Sequence, residues 1–177
     1  MFLVLVNAIN FIDGIDGLAI TEVIKIILFF ELFSNGPSAL SSLGILVIAS
    51  ILPLYYFNFK KIGKVFLGDA GSLMLGTLIM VYTLNALGPK YNLNPSYLVL
   101  NKVLFSLLAL LYPLIDLIRV FILRIKAGKS PFMADQNHLH HIIHKITNNQ
   151  KLTLLIISTL SILIPLVIYK IVIKFVH

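Results

Sequence analysis

Residues 152–176 read LTLLIISTLSILIPLVIYKIVIKFV. The stretch contains no acidic residue, and its only basic residues, Lys170 and Lys174, lie near its end. A helix needs about 20 mainly apolar residues to cross a hydrocarbon layer roughly 30 Å thick. The length and composition of this stretch therefore predict a transmembrane helix.

Four further apolar stretches precede it, at residues 18–33, 39–59, 65–86 and 97–123. The first would rise only about 24 Å as a helix, so it needs helical extension or local thinning of the bilayer. The short apolar run at residues 2–6 has no basic region before it and is too short for the core of a signal peptide, so it resembles the tail of a helix. We predict an all-α polytopic membrane protein with about five full transmembrane helices plus an N-terminal partial helix.

The overall composition agrees with this class. The 177 residues are 59% hydrophobic and 12% charged, with a mean hydropathy of +0.99, whereas a soluble domain is about half apolar and about a quarter charged. The absence of cysteine excludes disulfides, thiolate zinc sites and cysteine nucleophiles. The net charge of +7 is compatible with nucleic acid, anionic lipid or a phosphorylated substrate as partner.

Basic residues lie mainly on one side of the predicted membrane. If the spans alternate, residues 7–17, 60–64 and 124–151 share one side, and residues 34–38 and 87–96 share the other. The second side holds a single lysine, so the positive-inside rule makes the first side cytoplasmic. Nucleic-acid binding is not expected, because the cations lie in short membrane-flanking loops. The basic residues of the first side are Lys60, Lys61, Lys64, Arg124, Lys126, Lys129, Lys145 and Lys151.

A set of acidic residues and histidines falls at or near this same face. An enzyme that handles a polar cytosolic substrate at the bilayer surface requires such one-sidedness, whereas a transporter or channel would place ionisable groups near the midplane. These residues are Asp13, Asp16, Asp69, Asp135, His138, His140, His141 and His144.

The first motif reads NAINFIDGIDGL and begins at Asn7. Asn7, Asn10 and Asp13 recur every third residue, so on a helix they would present two amides and a carboxylate to one cavity. Gly14 and Gly17 would let the backbone leave helical geometry or approach a ligand closely. An isolated Asp-Gly pair is more typical of a turn, but two pairs directly after two asparagines favour a functional site.

The second motif, FLGDAGS, spans residues 66–72 and places Asp69 between two glycines at the start of an apolar helix. The carboxylate could cap that helix, or bind a magnesium ion whose other ligands are phosphate oxygens. Lys60, Lys61 and Lys64 would attract an anionic group, although each alone is more typical of a positive-inside loop.

The third motif combines KSPF at residues 129–132 with DQNHLHH at residues 135–141. Three histidines within four residues are not typical of core packing, because a proline and polar neighbours place them in a loop or a short helix. A structural zinc site is an alternative, since His140 and His144 have i,i+4 spacing, but only Asp135 offers a nearby carboxylate. Imidazoles that contact a diphosphate or a sugar fit the other motifs better.

Two charged pairs lie inside predicted spans. Asp116 and Arg119 are i,i+3 neighbours that follow Pro113, and Glu22 and Lys25 repeat the spacing. Each pair is most simply interpreted as an intramembrane ion pair.

In this order and at these intervals, the motifs resemble those of the polyprenyl-phosphate N-acetylhexosamine-1-phosphate transferases of glycosyltransferase family 4. That family includes the enzymes that start O-antigen, enterobacterial common antigen and teichoic acid assembly, and the phospho-MurNAc-pentapeptide transferases. Residues 7–18 resemble its double Asp-Gly motif, residues 66–72 its Phe-x-Gly-Asp-x-Gly-Ser motif, and residues 113–116 and 130–141 its C-terminal region. The His-x-His-His form is closer to the undecaprenyl-phosphate GlcNAc-1-phosphate transferase branch, because three consecutive histidines are usual in the peptidoglycan branch.

The resemblance implies Mg²⁺-dependent transfer of an N-acetylhexosamine-1-phosphate from a UDP-sugar to undecaprenyl phosphate, with release of UMP. The reaction would begin cell-envelope polysaccharide synthesis at the cytoplasmic face of the bacterial inner membrane. The resemblance implies Asp69 and Asn10 as metal ligands, and Asp69, Asp13 and Asp16 as catalytic carboxylates near the reacting phosphates. The substrate-binding residues that it implies are Asn7, Asn10, Asp16, His138, His140 and His141.

One family feature lies outside this sequence. The family carries an Asp-Asp motif and several spans upstream of the first motif. We therefore interpret residues 1–177 as a single transmembrane domain, the C-terminal portion of a longer polytopic transferase, and expect this portion alone to be inactive or severely impaired. A split gene product and a degenerate relative are alternatives.

The expected partners follow from the same resemblance. They are a UDP-N-acetylhexosamine, undecaprenyl phosphate, the lipid bilayer, and either a second copy of the chain or a separate N-terminal half. The alternative function is that of a non-catalytic membrane module that binds nucleotide sugar, polyprenyl phosphate or a partner subunit.

Overall fold

The computed structural model describes residues 2–94, 101–131 and 137–176 of the chain. These ranges contain eight α-helices joined by loops. No strand occurs in these ranges apart from an isolated bridge between Ser34 and Leu93. The prediction of an all-α fold is confirmed. The helices are α1 (Phe2–Phe11), α2 (Leu18–Leu32), α3 (Ser41–Asn58), α4 (Gly68–Leu87), α5 (Lys102–Ala109), α6 (Leu111–Lys126), α7 (Leu139–Thr147) and α8 (Gln150–Val176).

Several of the described helices are long and apolar enough to cross a bilayer. Three meet this condition, namely α3, α4 and residues 150–174 of α8, and a fourth span results if α5 and α6 are counted together. On α3, Ile45 and Leu46 expose about two-thirds of their surface, as expected of a helix that faces lipid. The predicted class of polytopic membrane protein is confirmed.

The number of full spans differs from the predicted five for two physical reasons. Helix α2 has 15 residues and rises only about 22 Å. The stretch predicted at residues 97–123 has its first four residues outside the described ranges, and the rest is broken at Leu110, where α5 and α6 meet at 75°. Pro113 accounts for the break, because it has no amide hydrogen for the carbonyl of Ala109 and its ring displaces that carbonyl.

Helix α2 is the central helix of the fold. It contacts α3, α4, α5 and α8, and its buried residues include Ile26 and Phe30. Glu22 is fully buried, pairs with Lys25 at 2.5 Å and accepts a hydrogen bond from Ser161 of α8 at 2.6 Å. The predicted pairing of Glu22 with Lys25 is confirmed, and the bond from Ser161 also ties α2 to α8.

The loops form one group at each end of the helices. At one end, the backbone amide of Asn35 donates to the carbonyl of Asn92 at 2.8 Å, so the loops after α2 and α4 are adjacent. At the other end, Lys64 pairs with Asp16 at 2.5 Å, which joins the loops before α2 and α4. These contacts agree with the predicted alternation of the loops.

A close crossing of α1 and α4 positions the first two motifs. A Cβ atom added to Gly76 of α4 would lie 2.8 Å from the carbonyl oxygen of Val6 and 2.9 Å from its Cα. Only glycine allows the two backbones to approach this closely.

Candidate active site

The first two motifs meet where the end of α1 lies against the start of α4. The side-chain amide of Asn10 donates to Asp69 Oδ1 at 3.2 Å and to Ser72 Oγ at 2.8 Å. Asp69 is exposed in the first turn of α4, whereas Leu67 holds the N-cap position and makes no side-chain cap. Asp69 therefore does not cap the helix, and its carboxylate is accessible to a ligand.

The spacing of Asn7, Asn10 and Asp13 predicts one row of side chains along a helix, and this prediction is wrong. Asn7 donates to the carbonyl of Leu3 within α1 at 2.7 Å. The helix ends at Phe11, so Asp13 lies in the turn that follows it. Of the two amides, Asn10 alone bonds to the second motif among the described contacts.

Three carboxylates lie close enough together to affect one another. Burial, followed by repulsion from the carboxylates of Asp69 and Asp16, raises the pKa of Asp13 to about 7. Like charges that share a site oppose each other's ionisation. A bound cation would relieve this repulsion.

The turn that carries Asp16 is held by the end of α3. Buried Asn58 accepts a hydrogen bond from the amide of Gly17 at 2.7 Å and donates to the carbonyl of Val65 at 2.7 Å. Gly17 has a φ of +77°, a conformation that other residues adopt only with strain. Asn58 belongs to none of the three motifs, although an amide at the end of an apolar span is a signal that could have identified it.

A cavity of about 530 Å³ opens beside this turn. Four lysines and one carboxylate line it, so its net charge suits an anionic ligand. The lining residues are Asp16, Asn58, Phe59, Lys60, Lys61, Lys64, Asn149, Gln150 and Lys151.

The histidine motif also packs on the first motif. His140 is fully buried on α7 and faces Gly14 so closely that a Cβ atom at Gly14 would overlap Nε2 of the ring. The centroid of the His138 ring lies 5.6 Å from that of Phe11 and 5.6 Å from that of His140. The ring of His141 lies 4.2 Å from that of His140. The end of α1 thus contacts both the second and the third motif.

His140 is a neutral imidazole with unused hydrogen-bonding capacity. Burial, together with the neighbouring His141, lowers the pKa of His140 to about 3. Neither of its ring nitrogens has a partner among the described residues. A neutral imidazole has one donor and one acceptor nitrogen, and both lack a hydrogen bond among the described residues.

Asp116 holds the start of the histidine helix. Its Oδ2 lies 2.7 Å from Nδ1 of His138, and its Oδ1 accepts a hydrogen bond from the amide of Leu139 at 2.8 Å. Arg119 lies 3.5 Å from the same carboxylate. The predicted ion pair of Asp116 and Arg119 is confirmed, but the closer contacts of Asp116 are to the residues that begin α7.

The donor set around Asp69 is compatible with magnesium. In residues 2–94, 101–131 and 137–176, no group of three or more histidine, cysteine, aspartate or glutamate side chains is arranged to hold a metal ion. Mg²⁺ often takes only one or two protein carboxylates, and water and substrate phosphates complete its coordination. Asp69, with Asn10 beside it, suits such a shared site. Phe132 and Asp135 of the third motif lie outside the described residues.

Comparison with known proteins agrees with these motifs. The family model described as glycosyl transferase family 4 matches residues 1–87, the range that contains the first two motifs. The chain is 31% identical over 169 residues to a decaprenyl-phosphate N-acetylglucosaminephosphotransferase of Mycobacterium leprae. It is 32% identical over 165 residues to an undecaprenyl-phosphate alpha-N-acetylglucosaminyl 1-phosphate transferase of Escherichia coli K12, and 32% identical over 161 residues to that of Yersinia pestis.

Each of these matches covers 86% of this chain and about 42% of the relative. The chain therefore spans about two-fifths of the length of the relatives that it matches. The matches and the motif geometry identify the chain as a member of glycosyl transferase family 4.

Proposed function

We propose that this chain supplies the phosphate-binding site of an enzyme that transfers an N-acetylhexosamine-1-phosphate from a UDP-sugar to undecaprenyl phosphate. The observation that carries the proposal is the convergence of the three motifs: Asn10 bonds to Asp69, and His140 packs on Gly14. The names of the relatives, which are phosphotransferases of polyprenyl phosphates, support the acceptor class.

The acidic side of the site would handle the reacting phosphates. Magnesium held by Asp69 beside Asn10 would offset the charge repulsion between two phosphorylated substrates. Before a cation binds, the pKa of Asp13 is about 7, and a magnesium ion at Asp69 would favour the ionised form of this carboxylate. Asp16 is ion-paired with Lys64 and would lie near the nucleotide.

The basic and imidazole side of the site would bind the donor. The lysines of the 530 Å³ cavity attract the diphosphate of a UDP-sugar. His138, His140 and His141 would contact the diphosphate or the sugar, because imidazole rings can donate and accept hydrogen bonds. We place this site at the cytoplasmic face of a bacterial inner membrane, where the basic loops satisfy the positive-inside rule and nucleotide sugar is available.

Binding of radiolabelled UDP-GlcNAc to the purified chain in lipid nanodiscs tests the proposal. We expect saturable binding that requires Mg²⁺, is abolished by EDTA and is displaced by UMP. Asp69→Asn should weaken binding about tenfold or more, which corresponds to about 1.4 kcal/mol. Glu31→Gln is the matched control, because it removes a carboxylate that bonds to Ser38 at the other end of α2, and it should leave the affinity unchanged.

Binding that is independent of Mg²⁺, or equal affinity of the Asp69 and Glu31 variants, would contradict the proposed site. Addition of undecaprenyl phosphate then separates the two functional hypotheses. Labelled lipid indicates transfer by the chain itself, whereas Mg²⁺-dependent binding without labelled lipid favours a module that needs a further segment or subunit.

A further inference from the structure

Asp116 is a buried carboxylate outside the acidic cluster, and it makes two contacts with the start of α7. Its side chain is fully buried in α6. Oδ2 lies 2.7 Å from Nδ1 of His138, and Oδ1 accepts the amide hydrogen of Leu139 at 2.8 Å. The two carboxylate oxygens thus have different partners.

Two arginines of α6 hold the segment that leads to these contacts. Arg124 donates to the carbonyl of Pro131 at 2.6 Å, and Arg119 donates to the carbonyl of Asn137. Together with Asp116, they bond to described residues on each side of positions 132–136. The position of His138 is therefore set by charged side chains of α6 and not only by the packing of α7.

The hydrogen-bond partners of Asp116 determine the proton position on His138. The amide of Leu139 is a permanent donor and occupies Oδ1, and the guanidinium of Arg119, 3.5 Å from Oδ1, favours the ionised carboxylate. An ionised carboxylate can only accept hydrogen bonds, so Nδ1 of His138 must carry the hydrogen. Nε2 is then the nitrogen left for a ligand, as in sites where a carboxylate orients a metal-bound or catalytic histidine.

We propose that Asp116 is a positioning residue that fixes the tautomer and orientation of His138, so that Nε2 is the atom that this histidine offers to the substrate. The assignment of the tautomer rests on the contacts within the chain alone. The identity of the ligand as a sugar phosphate rests on the proposed function.

Asp116→Asn separates this role from a purely structural one. The amide oxygen of the variant must still face the donor hydrogen of Leu139, so its NH₂ group faces Nδ1 of His138. That nitrogen would have to accept, and the proton would move to Nε2. The variant keeps the shape and the bond to Leu139 but reverses the tautomer of His138.

Nitrogen-15 NMR of the histidine-labelled chain in nanodiscs measures the tautomer directly. The spectra are recorded at a pH above the ordinary histidine pKa, and His138→Gln identifies the His138 signals. We expect a protonated Nδ1 in the wild type and a protonated Nε2 in Asp116→Asn. Glu22→Gln, which alters an equally buried carboxylate, should leave the His138 signals unchanged. A wild-type His138 protonated at Nε2, or the same tautomer in both proteins, overturns the proposal even if the variant folds poorly.

Binding of UDP-GlcNAc adds a second readout. Asp116→Asn should weaken Mg²⁺-dependent binding by about tenfold or more, as losses of such outer contacts do, and Glu22→Gln should not. A reversed tautomer with unchanged affinity would overturn the role of Nε2 in binding. If the wild-type chain binds no UDP-GlcNAc, the proposed function fails, while the NMR result still decides the role of Asp116.

Discussion

His140 combines full burial with two ring nitrogens that have no partner among the described residues. A buried polar atom without a hydrogen bond costs about 1–3 kcal/mol. A hydrogen-bond partner for the ring would remove this cost, and the absence of a side chain at Gly14 lets its backbone lie close to Nε2.

We expect the contribution of His140 to the free energy of unfolding to decrease as the pH falls below about 6.5. Unfolded His140 takes up a proton near its ordinary pKa of 6.5, whereas folded His140, with a pKa of about 3, does not. Between these values the unfolded state binds more protons, so each pH unit of acidification favours unfolding by up to about 1.4 kcal/mol. Above the ordinary pKa both states are neutral, and the contribution of His140 is fully present.

Thermal unfolding in detergent over a series of pH values measures this slope. Asp13 contributes with the opposite sign, because its pKa is raised in the folded chain. The decisive quantity is therefore the difference between the wild type and His140→Leu, with His144→Leu as a control for the loss of a histidine from α7. Equal slopes for the wild type and His140→Leu would show that His140 is not held in its neutral form.

The sequence identified the residues of the site better than it identified their partners. Asn10 and Asp69 were selected from two motifs, and the structure brings them into hydrogen-bond contact. Asp116 was predicted only to pair with Arg119, because i,i+3 spacing is visible in a sequence. Its bond to His138, 22 residues away, depends on how α6 and α7 are placed in three dimensions, which no local spacing encodes.

At the scale of helices, the hydropathy pattern predicted the bounds of straight helices well. It did not predict the break between α5 and α6. The stretch predicted at residues 152–176 lies within α8, and the stretch at residues 18–33 matches α2 to within one residue. The stretch at residues 97–123 is apolar throughout, yet it turns by 75° at Leu110. Hydropathy averages over such a break, although Pro113 marked it.

The crossing of α1 and α4 is the contact between helices on which the acidic part of the site depends. We expect Gly76→Ala to destabilise the chain by about 1–3 kcal/mol, because the added methyl group would meet the rigid backbone at Val6 and not a flexible side chain. Helix α1 would move away from α4 and take Asn10 with it. Thermal unfolding measures the loss of stability.

Crosslinking measures the separation of the two helices. A disulfide between Asn10→Cys and Ser72→Cys should form readily in the chain, which has no native cysteine, and its yield should fall when Gly76→Ala is added. Gly71→Ala is the matched control, because the nearest atoms to its methyl group would be those of the Leu67 side chain and not of a helix backbone. Equal crosslinking yields with the two alanine substitutions would mean that Gly76 does not set the spacing of α1 and α4.

At the scale of the whole molecule, the three motifs lie at one end of the helices and a separate group of loops lies at the other. Asp16 and Lys64 join two loops at the first end, and Asn35 and Asn92 join two loops at the second. The charge asymmetry that predicted this division was visible in the sequence. The contacts that hold each group together were not, because they link loops from distant parts of the chain.

The division predicts which side of a membrane each loop faces. The absence of native cysteine allows single substitutions to report this directly. Ile62→Cys and Asn149→Cys, both exposed at the motif end, should react with a membrane-impermeant maleimide from the cytoplasmic side, because basic loops stay on that side. Ala39→Cys and Asn92→Cys, exposed at the other end, should react only from the opposite side. All four should react after detergent is added, which controls for poor intrinsic reactivity. If positions 62 and 149 reacted from opposite sides, the lysine loop and the histidine helix could not line one cavity, and the site would be lost.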